Sequence, residues 1–196
     1  VAVNGGSSNV AALTLSGGAT ANDTIDINAN LTTTAGALTV QNASSVTIDA
    51  SAARTLTSNG GDLSLATNVT QITLDGGSRL VALEAKGLEA DTTDADVLLG
   101  ALVDDGVGGT AADLTITAHG GVTTSTIALD DTTTDGDLLI TVDADNDTLE
   151  TLTINGGISN VAALTLSGGT DFNDTIDINK DLTTTAGALT VQNASS

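Results

Sequence analysis

No cysteine, methionine, tryptophan, tyrosine or proline occurs among the 196 residues, and Phe172 is the one aromatic side chain. Without cysteine there is neither a disulfide framework nor a thiolate metal site. Cores of this size are commonly anchored by aromatics, each burying a large area, so this one has to be filled by Val, Ile, Leu and Ala. Basic residues are almost as scarce: Arg54, Arg79, Lys86 and Lys180 stand against 25 acidic side chains, for a formal charge of −21. A surface of that sign repels nucleic acid, whose phosphates need clustered Lys and Arg, and it avoids anionic membranes. It suits a soluble exterior that binds cations or meets salt. No apolar run approaches the roughly 20 residues of a membrane-spanning helix, so neither nucleic acid nor membrane insertion is expected. The composition is not that of a disordered chain: hydrophobic residues make up 40% and the mean hydropathy is +0.21, with the β-branched residues that disordered chains lack.

What the chain does contain is repetition. Val1–Ser45 returns as Leu152–Ser196 at a constant offset of 151 residues, with only nine of 45 aligned pairs differing. The differences are Val1/Leu152, Ala2/Thr153, Val3/Ile154, Ser7/Ile158, Ala19/Thr170, Thr20/Asp171, Ala21/Phe172, Ala29/Lys180 and Asn30/Asp181. The chain is therefore read as residues 1–151, one full period of a continuous structure, followed by residues 152–196, the start of the next. That is a window on a longer tandem array.

Inside the period runs a shorter beat of apolar, Thr/Ser/Asp, apolar. It reads Leu13-Thr14-Leu15, Ile25-Asp26-Ile27, Leu38-Thr39-Val40 and Val46-Thr47-Ile48, and continues to Leu189-Thr190-Val191. Such alternation marks strands with one face inward. Glycine pairs preceded by Asn, Asp or Ser separate many of the strands, residue types suited to tight turns. Two architectures fit: a parallel β-helix, and tandem antiparallel β-sandwich repeats. The β-helix is favoured, because its narrow interior is filled by stacked Val, Ile, Leu and Ala, whereas a sandwich without aromatics fills poorly. Its periodicity also suits coils that contact only their neighbours. Two beats give a coil of roughly 25 residues, and about six coils per period would rise on the order of 30 Å at the strand spacing of a sheet.

Ser78–Gly109 breaks the beat. Arg79–Lys86 fits a short helix by propensity and a strand by alternation. The expectation is strands with a protruding loop around Ala90–Asp96, the best candidate in the period for a lateral contact.

For chemistry, the densest cluster is Asp143-Ala144-Asp145-Asn146-Asp147, followed by Glu150. Alternating carboxylates bring hard oxygens onto one loop, as Ca²⁺ with six to eight ligands requires. Thr148 and Ile154 stand where an EF-hand needs Gly and Glu, so that motif is rejected. A generic Ca²⁺ loop and a solvated acidic turn remain. Asp130-Asp131, Asp135, Asp137, Asp91, Asp94, Asp96 and Asp104-Asp105 read as soluble turns that discourage edge-to-edge aggregation. His119, the only histidine, reads as a turn residue. No nucleophile elbow and no P-loop is present, and the chain is not expected to be an enzyme.

Gly17-Gly18-Ala19-Thr20-Ala21-Asn22-Asp23-Thr24-Ile25 and its copy through Asn173-Asp174-Thr175-Ile176 resemble the Ca²⁺-binding nonapeptide of repeats-in-toxin proteins. They have one extra residue and lack its third glycine. The resemblance implies Asp23 and Asp174 as Ca²⁺ ligands. In texture, the cysteine-free Thr/Ala/Gly/Asp-rich strands resemble giant bacterial surface proteins: haemagglutinin-type and repeats-in-toxin-like adhesins, and β-helical surface-layer proteins. That likeness implies a secreted, mainly structural role at the cell surface. The chief partner would be the neighbouring repeat of the same protein. The alternative is a Ca²⁺-stabilised adhesin repeat binding a surface, host or glycan.

Overall fold

In a computed structural model the chain winds as a β-solenoid. Described are residues 1–18, 23–77, 79–87, 94–105, 110–130, 134–145, 149–169 and 174–194. Each coil carries three short strands. The first is β1 (Ala2–Val3), β2 (Ser7–Val10) and β3 (Leu13–Ser16); the second β4 (Thr24–Ile27), β5 (Leu31–Thr33) and β6 (Leu38–Gln41). Next come β7 (Ala43–Asp49), β8 (Arg54–Asn59) and β9 (Leu63–Leu65), then β10 (Val69–Asp75), β11 (Val81–Lys86) and β12 (Val97–Leu99). The fifth and sixth coils are β13 (Leu102–Asp104), β14 (Leu114–Ala118) and β15 (Val122–Thr124), and β16 (Ile127–Ala128), β17 (Leu138–Thr141) and β18 (Thr151–Ile154). The seventh is β19 (Ile158–Val161), β20 (Leu164–Ser167) and β21 (Thr175–Ile178), and β22 (Leu182–Thr184) and β23 (Leu189–Gln192) open an eighth.

Every third strand stacks in one sheet. Face one holds β1, β4 and so on to β22; face two β2 to β23; face three β3 to β21. All pairings between these strands are parallel, as between Leu13 and Leu38 or Ile72 and Leu102. No helix is present among the described residues, and none is long and apolar enough to cross a membrane. The antiparallel alternative is thereby excluded.

The interior is a set of aliphatic ladders. On face one Ile25, Val46, Ile72, Leu102, Ile127 and Ile158 stack coil over coil. On face three Leu38, Leu63, Val97, Val122 and Leu152 do the same. All of these are fully buried, each stabilising by about 1.5–3 kcal/mol relative to exposure. The narrow core explains how the chain dispenses with aromatics.

The coil length is the one expected, but the strand count is not: there are three strands per coil rather than two. The unexpected strands, such as β2 and β5, carry polar residues inward or lack full alternation. Thr33 is buried on β5 and Ser58 on β8; both hydroxyls donate to the Gly36 carbonyl, at 2.5 and 3.1 Å. Their polarity is satisfied inside the corner, so the strand persists without an apolar side chain.

Among the described residues between Ser78 and Gly109 the chain forms strands and no helix, with β11, β12 and β13 in register with their neighbours. Leu63 pairs with Val97 and Val81 with Leu114, each pair set wider apart along the chain than Ala2 and Asp26. The extra residues of this segment fall between Lys86 and Val97 and between Asp104 and Leu114. Of the loop expected at Ala90–Asp96, residues 90–93 lie outside the described ones.

The duplicated stretch does not return to the same place. Val3 lies on β1, face one, but its counterpart Ile154 lies on β18, face three. Leu13 is on face three and its counterpart Leu164 on face two; Leu31 is on face two and Leu182 on face one. The second copy is turned by one face about the solenoid axis.

Candidate functional site

The acidic loop after β17 folds back on the corner after β14. Asp143 is fully buried and adopts a left-handed φ of 48°. Its N–H points to the Gly120 carbonyl, and that of Ala144 donates to Ala118 at 3.0 Å. This brings the Asp145 carboxylate 2.9 Å from Nδ1 of His119. The two residues lie a full coil apart along the chain, which hides this half-buried pair from a linear reading. Asp143 and Asp145 are thus held at one corner, while Asp147 lies outside the described residues.

Asp23 and Asp174 occupy equivalent places in the two copies. Asp174 is fully buried; one carboxylate oxygen accepts the Glu150 N–H at 3.0 Å and the other accepts the Gly169 N–H. Around Asp23 the main chain does similar work: its carbonyl accepts from the Ser44 N–H at 2.9 Å and the Ser44 hydroxyl at 2.8 Å. A side chain on Gly18 would run into the Asp23 carboxylate, and one on Gly168 into Asp174. Asp23 lies at the opposite end of the solenoid, whereas Asp174 sits at the same corner as Asp143 and Asp145, between faces two and three, one coil on. Among the described residues no three His, Asp or Glu side chains group as a metal ion would need.

A different use of carboxylates emerges, and it includes Asp96, Asp104 and Asp137, which the sequence alone presents as soluble turns. The Asp62 carboxylate accepts the N–H of Asp96 in the next coil at 3.1 Å, and Asp96 in turn accepts that of Gly121 at 2.8 Å. At another corner Asp113 accepts from Asp137 at 2.9 Å and Asp137 from Ala163 at 3.1 Å. Within one coil Asp104, buried, accepts from Ala112 at 3.0 Å. At corners the sheet ladders break and N–H groups lose their carbonyl partners, which has to be made good. A short acidic side chain reaches the donor one coil on, and a charged acceptor makes the bond stronger than a neutral one. These carboxylates are structural staples.

Electrostatics follow from the stacking. Asp75 faces Asp49 in the neighbouring strand of face one, and a hydrogen bond with the Asp105 carboxyl pushes Asp75 above the usual carboxylate range, with some help from burial. Asp96 is raised by partial burial first, then by its neighbours Asp62 and Asp94. Asp49 is lowered, chiefly by the Ser51 hydroxyl and further by Arg54, with which it pairs. Asp96 and Glu150 flank a shallow groove over Gly121 and Thr151 of about 240 Å³.

No protein-family model, no curated protein and no solved structure matches the chain.

Proposed function

We propose that this chain is a structural repeat of a long extracellular or cell-surface fibre, stalk or surface layer, non-catalytic, with neighbouring repeats of the same protein as its chief partner. The observation that carries the reading is a reversal of burial between the copies. Ile27, Leu38 and Val40 are fully covered by the following coil, while their counterparts Ile178, Leu189 and Val191 are 41%, 48% and 49% exposed. In the first copy, what covers them is the coil carrying Ile48, Leu63 and Leu65. A sequence already shown to be buried by one more coil supports continuation into a further coil. The same end presents the open edge of each parallel sheet, a template for strand pairing.

The acidic exterior supports exposure to salt and cations, and corner staples that repeat coil by coil support stiffness along the axis. A chain built of two, three and four full periods tests the reading by electron microscopy. The expected result is one rod that lengthens by about 27 Å per unit at the sheet spacing. Separate beads on a string would sink it.

A further inference from the structure

The turn of the second copy has a cause in the strand count. Seventeen strand positions separate β1, where the first copy begins, from β18, where the second begins. Three strands make a coil, so one period of 151 residues is five coils and two thirds of a sixth. The period is a whole number of strands but not of coils.

The fold tolerates this because the corners are set locally. Asn9 and Asn160 both take left-handed φ, 68° and 53°, and Asn42 and Asn193 both take 55°. Asn28 donates to the Asn4 side chain at 2.9 Å, and Asn179 to that of Asn155 at 3.4 Å. Thr34 donates to the Val10 carbonyl and Thr185 to that of Val161, at 3.1 and 3.2 Å. Each of these features forms on two different faces, so the sequence carries its local coil with it from one to the other.

We infer that tandem units of this protein are related by a screw: each successive unit is turned by one face, so every lateral surface is displayed on all three sides in turn. This deepens the fibre reading and rests on it. A loop that occurs once per unit then recurs on a given side only after three units, about 80 Å along the axis at the spacing of stacked strands. A ligand or neighbouring fibre that reads one such loop meets it from three directions. Lateral association accordingly builds a bundle or a lattice, not a flat ribbon, from a fibre whose units are all alike.

Two experiments test this. In the 196-residue chain, which has no native cysteine, Thr123→Cys with Thr153→Cys places two thiols on paired positions of face three. Ala128→Cys with Thr153→Cys pairs Thr153 with face one, where Ala2 begins the first copy. Linking by a short bismaleimide is expected for the first pair alone; linking of the second overturns the turn itself. Then, in a chain of six units carrying Ala52→Cys in each, gold labels imaged on the rod should advance by a third of a turn per unit. Labels in a single row on a continuous rod overturn the inference and leave the fibre reading standing. Loss of the rod overturns both.

Discussion

Residues 4–45 and 155–196 are almost the same peptide in opposite circumstances. Leu13 and Leu15 are half-buried in the first coil, while Leu164 and Leu166 are fully buried. Leu38 and Val40 are fully buried, while Leu189 and Val191 are about half exposed. Hydrogen bonds at the corners, in contrast, recur in both copies, as those of Asn28 and Asn179 and of Thr34 and Thr185 do. Local conformation therefore comes from the peptide, and burial from the coil next to it. In a solenoid those two sources of order separate cleanly, because each coil touches only its neighbours.

Substitutions at paired positions can break that symmetry. The largest difference is expected between Leu38→Ala and Leu189→Ala. The first opens a cavity in the core and should cost about 2–5 kcal/mol; the second, at a half-exposed site, should cost well under half as much, read as urea midpoints. Equal losses would mean the last coil is covered in solution. A smaller contrast concerns Asn30 and Asp181. The Asn30 side chain accepts the Thr55 N–H of the next coil at 3.1 Å, so Asn30→Ala should cost about 1 kcal/mol. Asp181→Ala, with no such coil in this chain, should stay within about 0.5 kcal/mol of the parent. Next to the start of the second copy, Thr124 places a buried hydroxyl without a hydrogen-bond partner in a ladder of Leu99 and Ile154. Thr124→Val keeps the shape, removes that polar group and should gain about 1 kcal/mol.

The uncopied middle carries a test by pH. Asp75 is raised in the fold by its hydrogen bond with the Asp105 carboxyl, so its favourable contribution is present below the unfolded carboxylate value of about 3.9. That contribution is lost as pH rises through the folded value. Asp75→Asn is therefore expected to raise the melting midpoint slightly at pH 7 and leave it unchanged near pH 3. An equal gain at both would remove the charge argument. The smallest expected effect is that of millimolar Ca²⁺, which should leave the midpoint where it is, because both oxygens of Asp174 already accept backbone N–H groups. A rise with Ca²⁺ that Asp174→Asn and Asp23→Asn abolish would favour the ion-stabilised adhesin instead.

The parallel solenoid and its coil length were legible because apolar-Thr-apolar triplets line up at a steady spacing and a single aromatic, Phe172, is too little to fill a wider core. The third strand of each coil was not. Ser7-Ser8-Asn9-Val10 shows no alternation, and Thr33 and Ser58 hide their polarity by bonding to Gly36 across the corner. For the carboxylates, Asp62, Asp96, Asp113 and Asp137 look like surface charge until the coils are stacked, since each partner lies a whole coil away along the chain. The contact between His119 and Asp145 was hidden for the same reason. Which residues meet is decided by the register between coils, and that register varies with every corner insertion.

The parallel ladders have a mechanical consequence. The chain enters at the first coil and leaves at the last, and the hydrogen bonds between coils lie along the line joining them. Tension applied to the two termini loads one row of bonds at a time, at whichever end is weaker, as in opening a zipper. Yielding is then stepwise and at low force, each step releasing one coil of about 25 residues, or about 80 Å of extended chain. A fibre made this way would absorb a pull by paying out length, and would rewind on the exposed edge that remains.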